Sequence, residues 1–303
     1  MSSDSMDLYH LQPDSVKVFG AGAWGSVLAG LIREVHPSVS VWNRTPKPGS
    51  STCLTQCLTP DAHIIIAISV QHVSHLFDRM RSENISPRVL WVASKGLDGS
   101  CGKLLWEIAQ ERFPDAIIGV FSGPNIAREI ASGLPCGITI ACRDPDTLLQ
   151  GKSLFPPRLI VETTTDVIGV SWWGALKNVM AIGYGLLQQR NVGYNMSATF
   201  LVQCAKEISA IVQEKGGCFE TILSFSGMGD LVLTSHCPQG RNRFYGEHFP
   251  EHPTHLVEGL DTLRALTQHT LAAKGWNIPT PIIQSISDII YSGMDIHHLS
   301  SLV

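Results

Sequence analysis

The stretch from Val16 to Val35 constrains this 303-residue chain more than any other. Val16-Lys17-Val18-Phe19 is a short β-branched run, Gly20-Ala21-Gly22-Ala23-Trp24-Gly25 follows it as G-x-G-x-x-G, and residues 26–35 repeat apolar positions at helical spacing. In a strand–turn–helix unit each glycine has its own task. Gly20 permits the tight turn, Gly22 lets the backbone approach a pyrophosphate, and Gly25 lets the helix pack closely on the strand. The helix start then offers N–H groups and a partial positive charge to phosphates. A lone glycine motif says little. Here it has the strand before it, the helix after it and a second strand ending about 20 residues further on, so it reads as a dinucleotide-binding turn.

The end of that second strand is Trp42-Asn43-Arg44. A carboxylate there would hold the ribose 2′-hydroxyl of NAD. Its absence removes repulsion against a 2′-phosphate, and Arg44 either pairs with one or is a solvated loop residue. The expected cofactor is therefore NADPH or NADH, with NADP favoured.

Short β-branched runs recur at residues 16–19, 39–42, 63–68, 89–93, 117–121, 136–141 and 159–161, bounded by turn residues. Helical patterns fit between several of them, at 24–35, 70–81 and 103–111. This alternation predicts an α/β domain built on a mainly parallel sheet with helices on both faces. After Thr163 the strand pattern fades. Residues 166–187, 195–215, 219–223, 257–274 and 280–292 have helical spacing, with Thr165-Asp166 and Thr280-Pro281 as helix starts. The expected organisation is a dinucleotide-binding domain over residues 1–164 and an all-α substrate and catalytic domain over 165–303.

Composition narrows the function classes. Hydrophobic residues make up 44% and charged residues 16%, a globular balance, and the net charge of −4 gives no basic face for nucleic acid. The start of the chain is polar and acidic, unlike a signal peptide. The most apolar short run, 64–68, is far below the ~20 residues a membrane span needs. The eight cysteines have no paired metal-site spacing. Together these predict a cytoplasmic protein with reduced thiols and no metal.

Four further segments carry candidate chemistry. Lys95 stands just past a strand end, where open parallel sheets bind ligands, although a solvated loop lysine would look the same. Gly123-Pro124-Asn125 also follows a strand, and Asn125 could cap a helix over 126–130. Lys177 and Asn178 interrupt an otherwise apolar helix. A lysine there must be paired, line a cleft or snorkel to the surface, and burial moves lysine toward the range useful for acid–base work. Asp230 follows Gly227-Met228-Gly229, either as a simple N-cap or with its carboxylate against Lys177. Arg241-Asn242-Arg243 follows Pro238-Gln239-Gly240 at a helix start, a natural grip for phosphate.

Taken in order, these segments resemble the bacterial-type NAD(P)-dependent glycerol-3-phosphate dehydrogenases. The pieces are GAGAWG at 20–25, SKGL at 94–97, GPNIAREI at 123–130, LKNVMAIGYG at 176–185, GMGDLVLT at 227–234, GRNRFYG at 240–246 and VEG at 257–259. The resemblance spans residue 16 to about residue 260. It implies a Rossmann-type domain followed by an all-α C-terminal domain, with the active site between them. It also implies reduction of dihydroxyacetone phosphate to sn-glycerol 3-phosphate for phospholipid synthesis.

Residue by residue, the resemblance makes Lys177 the proton donor and acceptor, with Asp230 and Lys95 at the reacting end of the substrate. Arg241 and Asn242 become the phosphate pair, and Gly123, Asn125, Thr234 and Gly240 further substrate positions. Gly20, Gly22, Ala23, Trp24, Gly25, Arg44, Lys95, Ala127, Arg241, Leu256 and Glu258 fall at cofactor-binding positions. The chain departs from the family after Asn43, where the stretch before Ile64 is shortened, and at Asn125 and Gly240, where many members have serine. No nucleic acid and no membrane span are expected, and an apolar helical domain of this kind leaves room for a homodimer. Two rival readings are a related dehydrogenase of another hydroxy acid and a nucleotide sensor without catalysis. The basic turn argues against the first, and retention of Lys95, Lys177 and Asp230 against the second.

Overall fold

The β-branched runs become seven strands of one sheet in a computed structural model that describes residues 13–56, 59, 61–253, 255–271 and 277–301, with only the backbone for 270 and 271. They are β1 (Val16–Phe19), β2 (Val39–Trp42), β3 (His63–Ile66), β4 (Val89–Val92), β5 (Ile117–Ser122), β6 (Gly137–Cys142) and β7 (Ile160–Thr164). Their order is β2-β1-β3-β4-β5-β6-β7. From β2 through β5 every pairing is parallel; β5 and β6 run antiparallel, and β6 and β7 are parallel again. Strands β1, β3 and β4 are buried along their whole length, the pattern of a parallel sheet covered on both faces.

The reversal at β5 has a physical cause in the connection. Between β5 and β6 the chain forms just one short helix, Ala127–Ala131, of five residues. A helix of that length advances about 7 Å, far short of the roughly 20 Å it would have to retrace to start a parallel strand.

The helices of this region are α1 (Ala23–Arg33), α2 (Val73–Ser82), α3 (Leu105–Arg112), α4 (Ala127–Ala131) and α5 (Pro145–Ser153). Leu28, Ala29, Leu31 and Ile32 of α1 share a core with Val16, Val18, Ile65 and Trp91, joined by Ile130 of α4 and Leu154 and Phe155 after α5. On the other face α2 and α3 pack together, and α3 lies on β4 and β5. Helix α5 is absent from the expectations above, although its start carries a readable mark: Asp144 accepts from Thr147 N at 2.8 Å, with Pro145 in the first turn. This sheet, flanked by helices on both faces and entered through a glycine turn, is Rossmann-like.

Beyond β7 the chain is helical: α6 (Val167–Gln188), α7 (Gly193–Glu214), a 3₁₀ turn at Phe219–Leu223, a wide turn at Phe225–Gly229, α8 (Asp230–His236), α9 (Arg241–His248), α10 (Glu258–Leu266), a second wide turn at Thr267–Leu271, α11 (Pro281–Ser292) and α12 (His297–Ser301). The end of the helix expected over 257–274 lies outside the described residues. Helix α6 is buried all round from residue 172 to 187, as a central helix must be. Gly185 of α6 and Gly246 of α9 let the two backbones touch; a Cβ on Gly185 would lie 2.2 Å from Arg243 O, and one on Gly246 2.1 Å from Ile182 O.

One expected cap is corrected. Thr280 stands at the N-cap of α11, but its side chain makes no capping bond. The carboxylate of Glu207, on α7, accepts instead from Ile282 N at 2.8 Å and Ile283 N at 2.9 Å. A carboxylate that can take both N–H groups outcompetes a single hydroxyl.

The chain divides into two compact units. Among the described residues, one holds those up to Lys95 and Leu105–Val167; the other holds Gly96–Leu104 and those from Ile168 onward. Among the described residues no helix is long and apolar enough to cross a membrane, and no group of three or more His, Cys, Asp or Glu side chains is placed to hold a metal.

Candidate active site

In the sheet unit the glycine turn sits at the carboxyl end of β1, where strand order reverses from β2 to β3 and open α/β sheets bind their ligands. Gly20 has φ +123°, and a Cβ there would lie 2.3 Å from Ala67 O. A Cβ on Gly25 would lie 2.0 Å from Gly20 O, so both glycines are needed for close approach within the protein. Gly22 differs, because a Cβ there would meet nothing within 4 Å. Gly22 is also the N-cap of α1, so the cap position itself carries no side chain, and no acidic residue stands in the first turn. An open backbone at the positive end of a helix fits a dinucleotide pyrophosphate.

The residues around that turn are tied to it to different degrees. Ala23 is exposed at the start of α1, and Trp24 Nε1 donates to Ala93 O at 3.3 Å, mooring the helix start to the end of β4. Arg44 is exposed just past β2. Asn43 Oδ1 accepts from Ala21 N at 3.1 Å, and Lys47 Nζ donates to Ala21 O at 2.9 Å. Asn43 and Lys47 therefore hold both polar backbone groups of Ala21, a role for which the sequence gives no periodic or motif signal.

A second group gathers along the same edge of the sheet. Lys95, half-buried just past β4, donates from Nζ to Gly123 O at 3.0 Å, and Gly123 follows β5 with φ +136°. Asn125 does not cap α4 as expected; the N-cap is Ile126, one residue later. The Asn125 amide donates to Gly137 O at 2.9 Å instead, because the chain folds back there and brings the start of β6 beside the loop. Ala127 is the half-buried first residue of α4.

In the helical unit Lys177 and Asp230 form a buried ion pair, Nζ to Oδ1 2.6 Å, at 7% and 1% exposure. Lys177 also donates to Thr234 Oγ1 at 2.8 Å, and Thr234 reaches Asp230 Oδ1 at 3.3 Å. Local structure explains the convergence. Asp230 is the first residue of α8, and Thr234 lies one turn on, so both present the same face to α6. Breaking such a pair from one side typically costs ~3–5 kcal/mol, because the remaining charge stays buried. A fixed cation in a dry surrounding can polarise a carbonyl oxygen and deliver a proton to it.

One residue along α6, Asn178 joins a neighbouring network. Asn242 Nδ2 donates to Asn178 Oδ1 at 2.9 Å, and Asn242 Oδ1 accepts from Gly259 N at 2.9 Å. Asn178 Nδ2 is buried and has no hydrogen-bond partner among the described residues, a donor that a ligand oxygen would satisfy. The sequence marks Asn178 as an anomaly in an apolar helix but does not place it beside Asn242. Gly240 is the N-cap of α9 and has no side chain with which to cap it. Arg241 is half-exposed and reaches Glu258 Oε1 at 3.2 Å, whereas Arg243 is held by Glu247 and His236 O. Leu256 is half-buried just ahead of Glu258, the first residue of α10.

Comparison with known proteins places the chain in a family. Residues 166–301 match the model of the NAD-dependent glycerol-3-phosphate dehydrogenase C-terminus, and residues 49–148 that of its N-terminus. A protein of a Synechococcus species named glycerol-3-phosphate dehydrogenase, NAD(P)+, is 35% identical over 232 residues, 76% of this chain and 72% of that one. A protein of the same name from Wolinella succinogenes is 30% identical over 285 residues, 91% of this chain and 94% of that one. The crystal structure of a glycerol-3-phosphate dehydrogenase from Coxiella burnetii shares the fold, with a TM-score of 0.83 at 24% identity over 96% of this chain and 98% of that one. With both parts of the family matched and relatives aligned along most of its length, the chain belongs to the NAD-dependent glycerol-3-phosphate dehydrogenases.

Proposed function

We propose that the protein reduces dihydroxyacetone phosphate to sn-glycerol 3-phosphate, reversibly, with NADPH favoured over NADH, in the cytoplasm and in supply of glycerophospholipid synthesis. The observation that carries this reading is the buried Lys177–Asp230 pair with Thr234 beside it, one residue along α6 from a buried amide donor that has no partner among the described residues and close in sequence to an arginine-bearing helix start.

The residues around Gly20, Gly22 and Gly25 would hold the dinucleotide, with the pyrophosphate against the start of α1. When bound, the reduced nicotinamide supplies the hydride that the carbonyl carbon accepts. Lys177 donates a hydrogen bond to the carbonyl oxygen and passes it a proton as negative charge develops there. Asp230 and Thr234 hold the lysine in one direction, and the Asp230 carboxylate favours its charged form before transfer. Arg241, Asn242 and the Asn178 amide take the substrate phosphate at the start of α9, so binding energy from a group that does not react orients the one that does. Lys95, directed by Gly123 O, adds positive charge at the carboxyl edge of the sheet. Arg44 and Lys47 stand in a segment after β2, residues 43–60, that contains no acidic residue, and favour a 2′-phosphate.

Consumption of NADPH, followed by absorbance, tests the reading. Oxidation that depends on dihydroxyacetone phosphate and is far slower with unphosphorylated dihydroxyacetone is expected. No oxidation, or equal rates with both ketones, would contradict it.

A further inference from the structure

Residues 43–62 join β2 to β3 and, among those described, form no helix. Because β2 and β3 flank β1, this connection has to pass over β1, and right-handed crossovers send it across the face opposite α1. Val16 and Val18 pack toward α1, so Lys17 and Phe19 point to that other face. A helix crossing there would bond its own carbonyls. A loop cannot, and buried carbonyls need partners.

Lys17 supplies them. At 1% exposure it is among the most buried side chains of the sheet, a rare setting for lysine. It donates to Leu54 O at 2.8 Å, to Cys53 O at 3.4 Å and to Gln56 O. From this loop an unbroken set of hydrogen bonds leads to the glycine turn. Ser51 Oγ accepts from Cys53 N at 3.0 Å and bonds the Gln56 side chain, and Trp42 Nε1 donates to Thr52 O at 3.0 Å. Ser51 N donates to Val41 O and Asn43 N to Ser51 O, each at 2.9 Å. Asn43 and Lys47 then hold Ala21 from both sides.

We propose that Lys17 is a positioning residue for the adenosine half of the dinucleotide. Its buried amine shapes the 51–56 loop and, through it, sets Asn43, Arg44 and Lys47 beside the glycine turn, where a 2′-phosphate is read. The proposal rests on the dinucleotide reading given above. It assigns the work of the missing helix to one side chain of β1, three residues before Gly20.

Calorimetric binding of three probes tests it: NADPH, adenosine 2′,5′-bisphosphate and reduced nicotinamide mononucleotide. In Lys17→Met the first two should bind roughly tenfold more weakly, the scale of one or two lost hydrogen bonds to ordering the loop. The mononucleotide should bind as in wild type, and kcat at saturating NADPH should be unchanged while KM for NADPH rises. Ser51→Ala, which cuts the same path without touching the buried lysine, should weaken the bisphosphate in the same direction, and it decides the matter if Lys17→Met does not fold. Unchanged bisphosphate binding in either folded variant, or equal weakening of the mononucleotide, overturns the proposal. Wild-type protein that binds neither NADPH nor the bisphosphate overturns the dinucleotide reading and this proposal with it.

Discussion

Arg241 and Arg243 stand two residues apart on one helix start and face different partners. Arg243 is held by Glu247 and by His236 O, and it lies over the Tyr184 ring, 5.5 Å from its centroid. Arg241 makes one longer contact, to Glu258, from a half-exposed position. Arg241→Ala should therefore raise KM for dihydroxyacetone phosphate by about tenfold or more, the worth of a charge-assisted bond to phosphate, with a smaller change in kcat. Steady-state kinetics checks this, and an unchanged KM would remove Arg241 from the phosphate site. At this scale the sequence was informative where a residue broke a pattern. Lys177 and Asn178 interrupt an apolar helix, and a polar group there needs a reason. It was silent on Lys17, which alternates with Val16 and Val18 as a solvent-facing strand residue would. Asn125 misled for a related reason: a cap and a cross-loop bond need the same side chain, and the choice depends on where β6 returns.

Helix α11 begins on a borrowed carboxylate. Burial raises the Glu207 pKa from its ordinary range to about 7, against the pull of the two N–H bonds from Ile283 and Ile282. In the folded state Glu207 thus keeps a proton that the unfolded chain releases between pH ~4.5 and ~7. Its contribution to stability is fullest below that window and declines as pH rises through it. His63 has the opposite slope: burial lowers its pKa to about 4, so its contribution is present above the ordinary histidine range and is lost as pH falls through the folded value. Comparison with Glu207→Gln cancels the histidine. From about pH 4.5 to about pH 7.5 the wild type should lose of order 1–3 kcal/mol relative to the variant in urea unfolding. A constant difference across the window would contradict this.

The elements themselves were well marked where burial dictated their composition. The runs that became β3 and β4 sit in the middle of a sheet covered on both faces and read as near-continuous apolar stretches, with no alternation to misread. Thr280-Pro281 correctly marks the start of α11, but the capping partner of that helix was not visible, nor was the reversal of the sheet. The reversal at β5–β6 depends on how far a short helix can carry the chain. The cap of α11 comes from Glu207 of α7, far away in sequence, which no local capping pattern can show.

Across the whole molecule, chain order and spatial grouping diverge at one place. Gly96–Leu104 lies between residues of the sheet unit yet belongs with the helical one. Its backbone is met there by His269, whose Nε2 lies 3.0 Å from Gly99 O. Lys95 is the last residue of the sheet unit before this excursion, so the charge assigned to the ketone end stands at a joint in the chain. Composition and periodicity cannot reveal such a grouping, because it is set by contacts between distant segments.

The account turns on the amine of Lys177 as the proton donor, with the dinucleotide held by separate residues of the other unit. The direct measurement is the single-turnover rate of NADPH oxidation by Lys177→Ala with saturating dihydroxyacetone phosphate, set beside the NADPH dissociation constant of the same variant. A rate lower by about 10²- to 10⁴-fold, with a dissociation constant near that of wild type, is the predicted result. A folded variant that binds NADPH normally and turns over at close to the wild-type rate would contradict the account.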